Sequence, residues 1–170
     1  MENLQAHTLP LFGKHLIEAS AGTGKTYNIT RIYLRLLLER KLTVDQILVM
    51  TFTKDATEEI KGRIDSFIRE ALNNWEILVK KDDFFREIAN NIEFEEVKFL
   101  LNRALLFLDE AAIFTIHGFC KRVLSQHAFV SGVSFNAKME TDCKDLIEEA
   151  CQDWYRKLAS LSPNEFMLLA

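Results

Sequence analysis

The chain has 170 residues, 48% of them hydrophobic and 27% charged, with a net charge of −4; this is enough to bury a core in one domain or slightly more, and it excludes a disordered or fibrous chain. The slight acidic excess excludes a globally basic nucleic-acid binder and leaves only local contact, through a loop or a patch. Cys120, Cys143 and Cys151 are odd in number and lack CxxC spacing, so neither a disulfide framework nor a zinc site is expected and a reducing cytoplasm fits best; no apolar run reaches the roughly 18 residues of a membrane span, and "MENLQAHTLP" is not a secretion signal.

In chain order, "HLIEAS" (residues 15–20) is a short, partly apolar run that stops at a glycine-rich turn, as a buried strand does. Residues 26–40 carry Ile29, Ile32, Tyr33, Leu36 and Leu37 at helical spacing. "QILVMTF" (46–52) is a second strand, followed by a helix with Ala56, Ile60, Ile64, Phe67, Ile68 and Ala71 on one face. Residues 74–111 are helical throughout, with solvated breaks at "KKDD" and around "NNIEFEE". "AIFTIHG" (112–118) is a third strand, leading into a helix with Phe119, Val123 and Leu124 that "SGVSF" (131–135) ends. Residues 142–161 are amphipathic, with Leu146, Ile147, Ala150, Trp154 and Leu158 on a stripe that Cys143 and Cys151 help to fill. The alternation of strand and helix predicts an α/β fold with a parallel sheet.

The turn itself reads "EASAGTGKT". A phosphate-binding loop has the pattern G-x-x-x-x-G-K-[ST] between a strand and a helix. Here Ala19 replaces the first glycine, and Ser20, Ala21, Gly22 and Thr23 lead to Gly24, Lys25 and Thr26 in register. Gly22 and Gly24 let backbone N–H groups turn toward a polyphosphate, and the following helix aims its positive end at the same anion. Residues 19–26 are thus the expected ATP site: Lys25 on the β- and γ-phosphates, and the Thr26 hydroxyl on Mg²⁺.

"ALLFLDEAA" imitates the acidic strand of a compact ATPase, with Asp109 and Glu110 as metal ligand and base. Yet Val97, Leu100, Leu101, Ala104, Leu105 and Leu108 continue one helical stripe through it, and "AIFTI" begins too soon for a parallel crossover of a dozen or more residues. A helix end is therefore expected. His117 and Cys120 sit three apart without further ligands, so no metal is assigned to them. By residue type alone Phe52, one of 13 phenylalanines, reads as core.

Taken together, "LIEASAGTGKT", "LTVDQILVMTFT", "DEAAIFTIHGFC" and "FVSGVSF", in that order, resemble the first motifs of superfamily 1 (UvrD-like) DNA helicases, most closely the helicase/nuclease subunits of exodeoxyribonuclease V type. The resemblance implies a RecA-like P-loop fold, incomplete and carrying a helical insertion. It divides the chain into the P-loop and second strand–helix unit (1–73), the insertion (74–111), the third motif (112–135) and the start of a helical subdomain (136–170). It implies DNA contacts at Thr51, Phe52, Thr53, Thr115 and His117, with single-stranded DNA and duplex ends as substrates. ATP and Mg²⁺ are the implied cofactors, RecC-like and RecD-like subunits the implied partners, and double-strand-break repair and recombination the implied setting. Lys54 and Asp55 depart from the family's commoner residues and receive no direct role, and Gln5 lacks the context to be assigned to adenine. The acidic strand, the γ-phosphate sensor and a second RecA-like domain are not found, so the chain reads as an N-terminal piece not expected to turn over ATP alone. The alternatives are a stand-alone P-loop ATPase or kinase using Asp109 and Glu110, and a nucleotide or single-strand binding module that never hydrolyses.

Overall fold

The structure, a computed structural model, describes residues 5–18, 22, 24–127, 130 and 142–159. Two compact units divide the chain, Met1–Arg122 and Val123–Ala170. In chain order the elements are α1 (Lys25–Leu38), β1 (Val49–Thr51), α2 (Lys54–Lys81), α3 (Asp83–Asn91), α4 (Phe94–Leu106), a 3₁₀ turn (Leu108–Glu110), β2 (Ile113–Thr115), α5 (Ile116–Gln126) and α6 (Lys144–Ala159). No helix among the described residues is long and apolar enough to cross a membrane.

The sheet is smaller than expected. β1 and β2 pair in parallel, with Val49 opposite Ile113 and Thr51 opposite Thr115, and these are its two strands among the described residues. Residues 15–18 of the expected strand 15–20 have no regular structure, and Leu16 is 88% exposed. With no strand among the described residues hydrogen-bonded to it, the segment has no ladder there to hold its backbone extended. The rest of the predicted strand, Ala19 and Ser20, lies outside the described residues, as do residues 131–135.

The helices form as their periodicity dictates. α2 buries Ile64, Ile68, Ala71 and Trp75 on one face, with Ile60 and Phe67 packed at its margin. Its backbone leaves helical geometry at Asn74, where the insertion was expected to begin. α4 buries Val97, Leu100, Leu101 and Ala104, and the stripe runs on through buried Leu108. α1 buries Tyr33 and Leu37 of its expected stripe, with Ile32 and Leu36 at the margin; Ile29 is exposed, and Leu34 and Leu38 are fully buried as well because α1 packs against both α2 and α4. Phe85 anchors the aromatic core, its ring 5.7 Å from Phe67, 5.6 Å from Trp75 and 5.1 Å from Phe84.

Two expectations about burial are corrected. "KKDD" breaks the helix as expected and Lys80, Lys81 and Asp83 are exposed, but Asp82 is half-buried: it accepts the Phe84 backbone N–H at 2.9 Å as the N-cap of α3 and pairs with buried Arg31. A turn between packed helices carries orphan N–H groups that a carboxylate satisfies. In the second unit, Cys143, Cys151, Leu146, Ile147 and Trp154 are exposed rather than core, since no apolar layer covers that face of α6 among the described residues.

Tyr33 is buried, and its hydroxyl has no hydrogen-bond partner among the described residues. Burial first, and Asp45 second, push its pKa up from 10.0 to about 12. Because the folded value lies above the unfolded one, the contribution to stability is fully present below about pH 10 and is lost as pH rises toward 12. Tyr33→Phe is expected to abolish that alkaline loss, about 1.4 kcal/mol per pH unit, and to leave neutral-pH stability equal or slightly higher. Urea denaturation at neutral and alkaline pH measures both; identical pH dependence in the two proteins contradicts the assignment.

Candidate nucleotide and nucleic-acid site

The parallel register places the ends of both strands side by side. Thr51 and Thr115 are register partners at the carboxyl ends of β1 and β2, where ligands gather in open α/β sheets. Each strand passes into a helix through a turn closed by a threonine hydroxyl. Thr53 accepts the Ala56 N–H at 3.2 Å, capping α2, and Thr115 accepts the Gly118 N–H at 3.1 Å, capping α5. A Cβ on Gly118 would stand 3.1 Å from the Thr115 hydroxyl, so glycine keeps this turn tight.

These bonds sort the expected DNA contacts. The Thr51 and Thr57 hydroxyls lie 2.6 Å apart, and each reaches the Thr53 carbonyl at 3.0 Å. The side chains of Thr51 and Thr53 therefore hold the turn from within. Phe52 stands out from it, 85% exposed, which corrects the reading of Phe52 as core. His117 is exposed on the first turn of α5. Thr57 was missed; its signal is a hydroxyl one helical turn beyond the cap of α2, where it can reach back to the capping residue's carbonyl.

Of the residues expected at the nucleotide, Gly22, Gly24, Lys25 and Thr26 are described, whereas Ala19, Ser20, Ala21 and Thr23 lie outside the described residues. Gly22 and Gly24 have φ of 79° and 81°, left-handed values that a residue with a Cβ adopts only under strain. A Cβ on Gly22 would meet nothing within 4 Å, so the backbone, not crowding, requires glycine there. Gly24 is the N-cap of α1 and supplies no capping side chain. Its carbonyl accepts two bonds from Asn28, from the backbone N–H at 3.0 Å and from Nδ2 at 3.1 Å. The amino end of α1 is thus fixed, and the N–H groups of its first turn are uncapped by any side chain of Gly24, as a helix terminus that binds a phosphate requires. Lys25 is exposed and Thr26 half-buried on that turn. The chemistry fits ATP with a divalent metal: donors and one cation for the phosphates, and a hard hydroxyl oxygen for the metal.

Asp109 and Glu110 are exposed in the 3₁₀ turn that precedes β2, at the amino end of that strand and so away from Thr51 and Thr115. Asp109 pairs with Lys61 at 3.2 Å. That position suits a helix end and not an acid poised over a nucleotide. Among the described residues no three His, Cys, Asp or Glu side chains gather as a metal site.

Known proteins share long stretches of this sequence. The chain matches the UvrD/REP helicase N-terminal domain over residues 1–167. It is 43% identical over 165 residues to the RecBCD enzyme subunit RecB of Haemophilus influenzae, covering 88% of this chain and 14% of that protein. To the RecBCD enzyme subunit RecB of Escherichia coli K12 it is 42% identical over 176 residues, covering 96% of this chain and 15% of that protein. The same subunit of Chlamydia trachomatis is 40% identical over 126 residues, 71% of this chain and 12% of that protein. The chain therefore spans a small part of the length of the curated relatives it matches.

Proposed function

Because the chain belongs to the UvrD/REP helicase family, we propose that it is the N-terminal ATP-binding part of an ATP-dependent DNA helicase/exonuclease subunit. The 19–26 turn binds the nucleotide, with Lys25 on the β- and γ-phosphates and Thr26 on Mg²⁺. When bound, Mg·ATP supplies the phosphoryl group whose loss drives movement; the chain's own residues bind it and orient it. The loops leaving β1 and β2 hold single-stranded DNA, with Phe52 as the base platform, His117 beside it, and Thr51, Thr53 and Thr115 shaping the turns that present them. By likeness to relatives named as subunits of the RecBCD enzyme, the partners are RecC-like and RecD-like subunits, the substrates are duplex ends and the strand drawn from them, and the setting is double-strand-break repair and recombination in the cytoplasm. Residues 74–111 are read as a helical insertion and 136–170 as the start of a helical subdomain.

One observation carries the reading. The apolar side chain of the Thr51–Thr53 turn, the Phe52 ring, is exposed at the carboxyl end of a parallel strand, in register with a second capped turn. A ring so placed stacks on any base, which suits a protein that moves along DNA regardless of sequence. Phe52→Ala is expected to weaken single-stranded DNA binding by about 1–3 kcal/mol per stacked base, while Phe52→Trp retains it. Fluorescence anisotropy with a labelled oligonucleotide measures this, and an alanine variant that binds as tightly as the wild type removes Phe52 from the role.

A further inference from the structure

Arg31 lies on α1 about one and a half turns beyond Lys25, and its side chain is only 8% exposed. Its Nη2 donates to Asp82 Oδ2 at 2.5 Å. Nε and Nη1 are buried without an oxygen acceptor among the described residues. What surrounds them is aromatic: the guanidinium carbon is 4.1 Å from the centroid of the Tyr27 ring and 4.6 Å from that of Phe84, with Phe67 and Phe85 at 5.6 and 5.8 Å. The π faces attract the cation that water no longer solvates. Tyr27 directly follows Thr26, and Asp82 is the N-cap of α3. An unbroken line of contact thus runs from the α2–α3 corner, through Asp82, Arg31 and Tyr27, to the residue beside the nucleotide turn.

Stability alone does not account for this charge. An apolar side chain of similar size fills an aromatic box without the cost of desolvating an ion pair. What the guanidinium adds is direction, because its planar fork fixes the angle between Asp82 and the Tyr27 ring as an aliphatic chain cannot.

Building on the proposed function, we infer that Arg31 is a positioning residue for the nucleotide site: clamped between Asp82 and Tyr27, it sets the placement of the first turn of α1, and with it Lys25 and Thr26. ATP affinity is therefore coupled to the α2–α3 corner. Movement of that corner, which lies between two helices and not in the sheet, is transmitted to the first turn of α1 through the Asp82 carboxylate and the Phe84 ring that both meet Arg31.

Three variants isolate the link. Asp82→Asn retains the N-cap and loses the charge; Arg31→Met retains bulk and favourable contact with the rings; Arg31→Lys retains the charge without the planar fork. In the 170-residue chain, hydrogen exchange without nucleotide is followed residue by residue, Mg·ATP affinity is measured by titration, and Tm is recorded beside them. Asp82→Asn and Arg31→Met are expected to quicken exchange over residues 25–30 while α4 keeps its protection, and to raise the Kd for Mg·ATP about fivefold or more. The double variant is expected to be no worse than the poorer single, since both remove one interaction, and Arg31→Lys is expected not to restore affinity. Unchanged affinity in the variants overturns the inference, and so does protection lost evenly across α1, α2 and α4, the mark of a merely structural pair. A wild-type chain that binds no Mg·ATP, with the local exchange effect intact, overturns instead the proposed function and the nucleotide half of the inference, so the two failures are distinguishable.

Discussion

Lys25→Ala is expected to lower Mg·ATP affinity by at least an order of magnitude and, in any longer protein that contains this chain, to abolish ATP-dependent unwinding, with the fold intact. The residue opens α1 at a terminus whose N-cap is a glycine in left-handed geometry and supplies no side-chain bond. A phosphate seated there meets backbone N–H groups and the Lys25 ammonium, and the ammonium is the part that answers charge as it develops during transfer. Removing such a preorganised donor typically costs about 2.7–4 kcal/mol of transition-state stabilisation. Exposure makes the substitution structurally mild, because the side chain leaves no cavity behind. Titration with a fluorescent ATP analogue, with circular dichroism beside it, provides the check. Equal affinity in the two proteins would falsify the assignment of the turn. Thr26→Ala, which removes only a hydroxyl ligand, should act chiefly on the metal-dependent part of binding.

The second large effect falls on the fold. Phe85 is fully buried on α3, and its ring meets Phe67, Trp75 and Phe84, so it joins α3 to α2 across their connecting turn. Phe85→Ala is expected to destabilise the first unit by about 3–5 kcal/mol, from lost transfer energy plus the cavity left behind. Against a total stability of about 5–15 kcal/mol for an ordinary domain, that is a loss approaching unfolding. The contrast is Phe99→Ala on the outer face of α4, where the ring is exposed and the change should stay within about 0.5 kcal/mol. Urea denaturation of the three proteins decides it, and equal midpoints for Phe85→Ala and the wild type would refute the packing argument.

Local chemistry was legible in the sequence because it depends on neighbours in the chain. The stripes of α2 and α4 could be read because a helix repeats its own face every three or four residues, whatever packs on it. The same reasoning placed Asp109 and Glu110 at a helix end, where the 3₁₀ turn before β2 puts them. Gly22 and Gly24 could be read as backbone-driven choices, and their positive φ values agree. Tertiary structure alone decided the rest, since those outcomes depend on what arrives from far along the chain. Residues 15–18 carry a strand's composition, but a strand exists only when another pairs with it. Asp82 looked like part of a solvated break until the fold brought it against Arg31 of α1 across 51 residues of sequence, with Phe84 beside it. Phe52 and Phe85 are the same residue type, one on a turn at a strand's end and one inside an aromatic cluster. Residue type alone does not separate them, because hydrophobicity states what a side chain avoids in water and only the packed neighbours determine whether it has escaped.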